Sequence, residues 1–491
     1  MREEVLRMER VTYLERGVVH LEDFNLTLFA GDIVGLLPVN SHGLTALTNL
    51  LRNNLPLHYG YIYCREEQIN SWRTPNPQYN RIGVIQSESS LVDGLTVADN
   101  IFVLRPGYKT WFLRPSILSR QLQPLLHLLD IHIPADAYVE ELTIFQRFVV
   151  ELIKAVVAGC RLVILRDVST FISESELTQL HALLRHYAAQ GMAFLYIGFH
   201  FEELEQICSR TALLINGRIT KVLRQEELMA HSLDFYDRRT WEKHLTQQVT
   251  ESPAAPVLQV SHLFGGMVEN LSFSVRAGEC LVLQDLENRI FADLLSLLQG
   301  ERPVEGGEIT LRGLPFQPAP TRDIAILKEQ PADTMIFREM SYFDNLYFTV
   351  DHRLPKLWRS SHVQKGLKRT AESPKGALFD VRPEQLSKTE KYDLVYQRIL
   401  LQNPTAVFCI QPFKGADFEL RKHIWALLEA LMKRGVAVII LAVNLADALS
   451  LASRLIRIHR SAPMEVYEQR DFGKIPFSAP WLDLYRQRGE S

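Results

Sequence analysis

The chain repeats itself once, with a period of roughly half its 491 residues, and this constrains its fold more than any other feature. Leu26-Thr27-Leu28-Phe29-Ala30-Gly31-Asp32 is echoed by Phe273-Ser274-Val275-Arg276-Ala277-Gly278-Glu279. Leu95-Thr96-Val97-Ala98-Asp99-Asn100 is echoed by Met340-Ser341-Tyr342-Phe343-Asp344-Asn345. Leu142-Thr143 and Leu386-Ser387 each precede a helical run, and Leu162-Val163-Ile164-Leu165 is matched by Ala406-Val407-Phe408-Cys409. Two tandem copies of one domain, over residues 1–245 and 254–491, satisfy this pattern, with Pro253-Ala254-Ala255-Pro256 as the linker. Within each copy short apolar strands alternate with longer helical patterns, which predicts α/β domains.

Composition narrows the class. An apolar content of 47% with 23% charged residues is that of an ordinary globular protein, and a net charge of −3 gives no global pull toward nucleic acid or an anionic bilayer. The five cysteines are scattered without a C-x-x-C pair, as expected in a reducing cytosol and against a zinc site. The charged N-terminus does not read as a signal peptide, and no apolar stretch reaches the ~18–20 residues of a membrane span.

Residues Gly35 to Leu47 sit between an apolar run, Ile33 to Leu37, and the helical pattern Leu47, Leu50, Leu51. This is the setting of a phosphate-binding loop, which needs G-x-x-x-x-G-K-[ST]: glycines let backbone N–H groups wrap a phosphate, and the lysine meets its charge. Here Pro38 takes the first glycine position and Leu44 the lysine position; only Gly43 and Thr45 fit. The candidate loop contacts are Asn40, Gly43, Leu44 and Thr45; against them stands a plain strand-to-helix turn with a helix cap.

The order of these landmarks resembles the ATP-binding cassette ATPases, in particular the tandem-domain ATPase subunits of bacterial monosaccharide importers. The likeness covers nearly the whole chain. Leu95 to Phe102 resembles the run after that family's Q-loop, Val150 to Ala155 the helix after its signature motif, and Lys414-Gly415-Ala416-Asp417 the segment after its second Walker B strand. The resemblance implies two P-loop NTPase-type domains, each with a helical subdomain, folded as an intrachain pseudo-dimer with ATP between one phosphate loop and the opposing signature loop.

Position by position, the chemistry is missing. Arg166 stands at the Mg²⁺-holding acid of the first Walker B motif and Asp167 at the water-polarising glutamate; the second copy has Ile410 and Gln411 there. The second phosphate loop places Asp285, Asn288 and Ile290 at glycine positions, Phe291 at the lysine and Ala292 at the hydroxyl. The signature loops read Leu142-Thr143-Ile144-Phe145-Gln146 and Leu386-Ser387-Lys388-Thr389-Glu390, without the paired glycines. The Q-loop glutamine falls on Ser87 with Gln86 one place early, and the switch histidine on Phe199 with His200 one place late; such a shift turns a strand side chain to the other face. Glu15 falls where an adenine-stacking aromatic belongs.

Asp167, Gln411, His200 and Phe199 are therefore degenerate catalytic positions; Gln86, Ser87, Arg166 and Ser387 join the loop residues as candidate nucleotide contacts, and no metal ligand is assigned. For Asp167 the plainer expectation is a solvated strand end, for His200 a satisfied rim histidine, and for the basic residues of 352–369 a solvated helix face. The resemblance implies ATP as cofactor, while the lost groups argue against it and against Mg²⁺. The sequence therefore reads as a pseudo-ATPase with a structural or regulatory role in a sugar import or sensing system. The alternatives are a functional ATPase of a sugar transporter and a nucleotide sensor that binds without hydrolysis. The partners implied are membrane permease subunits or an intact cassette ATPase, not nucleic acid. The place implied is the cytoplasm, peripheral to the inner face of the plasma membrane.

Overall fold

The computed structural model describes residues 2–73, 81–86, 89–103, 133–228, 255–285, 289–319, 321–350, 380–445, 447–458 and 463–475. Ser87, Asn288, part of the linker and the segment 352–375 lie outside them. The described residues fall into two compact units, 2–228 and 255–475.

In the first unit β1 (Glu4–Glu15), β2 (Val18–Phe29), β4 (Tyr59–Cys64) and β5 (Glu67–Ser71) form an antiparallel sheet in the order β2-β1-β4-β5. A six-stranded sheet follows the order β10-β9-β3-β8-β7-β6. Its strands are β3 (Ile33–Pro38), β6 (Ile82–Ile85), β7 (Leu162–Arg166), β8 (Ala193–Ile197), β9 (Arg210–Ile215) and β10 (Arg218–Arg224). All pair in parallel except β10, which runs antiparallel to β9. β3 lies inside the sheet and is buried at every position, which is why it reads as a continuous apolar run.

Helix α1 (Leu44–Asn53) follows β3, and its buried face of Leu44, Leu47, Leu50 and Leu51 joins one core with residues of both sheets, among them Leu6, Phe24, Leu36, Ile164 and Leu195. Its other longer helices are α2 (Ile144–Val157), α3 (Glu174–Ala189) and α4 (Phe201–Ile207).

The second unit repeats the plan. β11 (Leu258–Gly265), β12 (Val268–Val275), β14 (Gly306–Leu311) and β15 (Leu314–Pro315) form the antiparallel sheet β12-β11-β14-β15. The other sheet runs β16-β17-β18-β13-β19-β20, built from β13 (Cys280–Asp285), β16 (Ile324–Leu327), β17 (Ala406–Ile410), β18 (Ala437–Ala442), β19 (Arg454–Ile458) and β20 (Glu465–Glu468). Its longer helices are α5 (Ile290–Gln299), α6 (Tyr342–Val350), α7 (Lys388–Gln402) and α8 (Phe418–Lys433).

The repeated residues hold backbone in place. Asp32 and Glu279, the acids after the echoed glycines, pair with Arg210 at 2.9 Å and Arg454 at 2.6 Å, each at the start of the strand next to the loop strand. Asn100 accepts from the Val92 N–H at 2.8 Å and donates to the Val92 and Thr96 carbonyls. Asn345 does the same for Phe337 N–H at 2.9 Å and for the Phe337, Met340 and Ser341 carbonyls. Both asparagines are fully buried. Asn100→Ala leaves these backbone groups without their partner and is expected to cost about 1–3 kcal/mol, read as a lower urea midpoint at unchanged slope.

Candidate functional site

The strand–loop–helix expected at 35–47 is present: β3 ends at Pro38 and α1 begins at Leu44. Gly43 sits between them at φ 83°, a left-handed value, and a Cβ there would lie 2.4 Å from the His20 carbonyl oxygen, so only glycine fits. Leu44 is fully buried in the core between the sheets. The loop packs onto its surroundings: Asn40 Nδ2 donates to Asn216 Oδ1 at 2.8 Å, His42 Nε2 lies 2.7 Å from the Val19 carbonyl oxygen, and the His42 ring stacks on His20 at 5.5 Å. The plain-turn expectation included a helix cap; instead Gly43 is the N-cap and no side chain caps α1 there.

Thr45 meets Arg166, whose Nη1 donates to its Oγ1 at 3.2 Å. A guanidinium thus stands on the hydroxyl that a phosphate loop gives to Mg²⁺. Asp167, expected as a solvated strand end, is instead 7% exposed, and this corrects that expectation. It occupies a left-handed turn at φ 53°, and its N–H donates to the Ile197 carbonyl at 2.8 Å. Gln411 takes the same turn at φ 40°, donating from its N–H to Leu441 at 2.9 Å. Both copies keep the backbone of this position and differ in its side chain. Gln411 Nε2 donates to Glu329 Oε1 at 3.1 Å, and Lys414 Nζ pairs with Glu329 Oε2 at 2.7 Å. Glu329 escaped the sequence reading. The signal was available: it lies two residues past β16, as Ser87 lies two past β6.

The switch region is interior rather than on a rim. Phe199 belongs to the core of the first unit. His200, 3% exposed, precedes α4, and its Nδ1 is 3.8 Å from Glu203 Oε2. Glu203, fully buried, also accepts from Ser169 Oγ at 2.7 Å and from the Tyr196 hydroxyl, which lies 3.3 Å from His181 Nε2. Burial, aided by Arg185, pushes His181 down to about 3, so the imidazole is neutral; burial and then Glu203 hold the Tyr196 phenol well above its usual range. None of these groups was singled out in the sequence except His200, because the cluster gathers four separated elements.

Gln86 is half-buried directly after β6. Beyond it, Ser89 Oγ donates to Glu151 Oε1 at 3.1 Å and the Ser90 N–H donates to the same oxygen. The signature threonine and serine are used as helix caps. Thr143 and Gln146 form a capping box on α2, and Ser387 with Glu390 forms one on α7, with Glu390 N–H donating to Ser387 Oγ at 3.2 Å. Phe145 is buried on α2, and Lys388 Nζ donates to the Gly415 carbonyl at 3.4 Å. At the second loop Asp285 Oδ2 accepts from the backbone N–H groups of Arg289 at 2.6 Å and Ile290 at 2.8 Å, while Phe291, at the lysine position, is buried in the core.

Residues 21–168 match the family model described as ABC transporter. Across 96% of the chain and 94% of the relative it is 24% identical to a putative ribose/galactose/methyl galactoside import ATP-binding protein of Hahella chejuensis. It is 27% identical, over 90% of the chain and 89% of the relative, to a protein of the same description from Rhizobium johnstonii. Among solved structures, the complex of archaeal ribosomal stalk protein aP1 with ribosome recycling factor aABCE1 covers 95% of this chain and 90% of its own at TM-score 0.61 and 14% identity, a likeness of fold. The first unit thus carries the match to the ABC transporter family model, and along nearly its whole length the chain is similar to relatives named sugar import ATP-binding proteins.

Burial pushes the Glu151 carboxyl above the ordinary range, against the Ser90 and Ser89 hydrogen bonds and the Lys154 charge, which pull it down. The folded chain therefore holds that proton more tightly than the unfolded one. The stability this gives is full below the ordinary glutamate pKa and is lost as pH rises through the raised value. Glu151→Gln is expected to leave the thermal midpoint little changed near about pH 4 and to raise it relative to wild type near about pH 8.

Proposed function

We propose that this chain is a pseudo-ATPase subunit of a sugar import or sensing system, with a structural or regulatory role beside a membrane permease or an intact cassette ATPase. The observation that carries the reading is the Arg166 guanidinium on the Thr45 hydroxyl. A phosphate loop and Walker B strand hold Mg²⁺ through oxygen atoms. Here one of those oxygens is bound to a cation and the acid that would supply another is that cation, so the donor set does not fit a divalent metal. Leu44, buried where the lysine belongs, leaves the γ-phosphate without its positive partner. Loss of one transition-state donor is typically worth about 3–4 kcal/mol, and these losses coincide.

The partner reading draws on the relatives' names and on the second unit's own surface. A groove of about 870 Å³, lined by Ile324 and Ile326 of β16, Leu295 of α5, Arg398 of α7, Lys328 and Glu329, lies beside the second copy's counterpart of the Q-loop. In the family that region faces the permease. Among the described residues no helix is long and apolar enough to cross a membrane, which is compatible with a peripheral place on the inner face. We assign the two cassettes to residues 1–245 and 254–491 and infer that they work as an intrachain pseudo-dimer. A fully extended particle in solution scattering counts against that pairing.

The full-length protein is expected to hydrolyse no ATP above background with Mg²⁺ present. Leu44→Lys alone stays inactive, because groups that act together are strongly non-additive. Leu44→Lys with Arg166→Asp and Asp167→Glu remains impaired, since Lys388 and Thr389 still replace the signature glycines. Mg²⁺-dependent turnover by the unmodified chain, abolished by Asp167→Asn, overturns the reading in favour of a working importer ATPase. A second reading, nucleotide binding without hydrolysis, is favoured by Arg166, whose charge stands beside the first loop. Calorimetric titration of ATP with Mg²⁺ and with chelator decides it: heat of binding that persists in chelator supports the sensor.

A further inference from the structure

We propose that Asp285 is an internal ligand of the helix that follows the second loop strand: its carboxylate takes the backbone donors that a phosphate would take and so competes with one for them. Asp285 ends β13 and is 3% exposed. One of its oxygens, Oδ2, accepts from two consecutive backbone N–H groups, Arg289 and Ile290, at 2.6 and 2.8 Å. These N–H groups open α5, the helix that follows the loop strand. The N-terminus of such a helix carries partial positive charge and unpaired donors, which is why it binds phosphate. A carboxylate has the same sign and the same acceptor oxygens.

The first copy supplies the contrast. Pro38 stands at the position of Asp285, and no side chain caps α1 at its N-cap. The first loop turns through Gly43 in a left-handed conformation before its helix begins. In the second copy Arg289 is already right-handed, and α5 begins at Ile290, the counterpart of Gly43. The second copy thus meets the donors at its helix start with an anion of its own. Any anion that enters must displace a carboxylate tethered within a few residues of its donors, at a high effective concentration.

Amide exchange of Arg289 and Ile290 in the full-length chain, with inorganic phosphate as probe, tests this directly and is blind to ATP turnover, so the pseudo-ATPase reading is decided separately. In the unmodified protein both amides are expected to be protected and indifferent to phosphate. Asp285→Gly is expected to speed their exchange about fivefold, as loss of a cap does, and millimolar phosphate should restore protection. Asp285→Asn keeps an acceptor oxygen without the charge; it is expected to fold, to retain part of the protection and to respond to phosphate less than the glycine variant. Phosphate that protects the unmodified loop overturns the proposal. So does exchange unchanged by Asp285→Gly, or a glycine variant to which phosphate restores nothing.

Discussion

Each unit depends on the helix that follows its loop strand. α1 and α5 lie in cores that draw on both the antiparallel and the largely parallel sheet of their own unit. The residue that opens this burial is the one a working phosphate loop reserves for a cation: Leu44 in the first copy, Phe291 in the second. Fully burying such a side chain is worth about 1.5–3 kcal/mol. Charge has been exchanged for core at the same place in both copies.

The other altered positions follow a related pattern, in which a group that would face a ligand faces the chain itself. Thr45 accepts from Arg166, Gln411 and Lys414 both hold Glu329, Ser387 bonds to Glu390, and Asp285 accepts from the backbone at the start of α5. Asp285 and Gln411 are buried, and buried polar groups must find partners somewhere, whereas Thr45 and Ser387 make their contacts at the surface.

The fold was legible because it rests on periodic burial and on a repeat. The run Ile33 to Leu37, the leucines of α1 and the echoed Asp32 and Glu279 all mark backbone positions, and these survive in sequence because the sheets need them. The echoed Asn100 and Asn345 were read as family landmarks; their part is to staple a loop. The site was less legible. Arg166 could be placed at the metal position by alignment, but its contact with Thr45 depends on the approach of β7 to α1, residues 121 apart in the chain. Glu329 and the His181–Tyr196–Glu203 cluster were missed for the same reason, since their partners come from distant elements. Exposure was misjudged at Asp167 and His200, because polar residues at strand ends read as solvated until the surrounding helices close over them.

The burial of Leu44 also limits what its position tolerates. A lysine returned to that position would have to carry an ammonium into the core or pull the start of α1 outward, and an uncompensated buried charge costs far more than the leucine gained. Folding thus disfavours a charge at this position, while apolar side chains of similar volume cost about 1.5 kcal/mol or less there. The side chain that begins α1 therefore ties the chemistry open to the loop to the stability of the core beneath it.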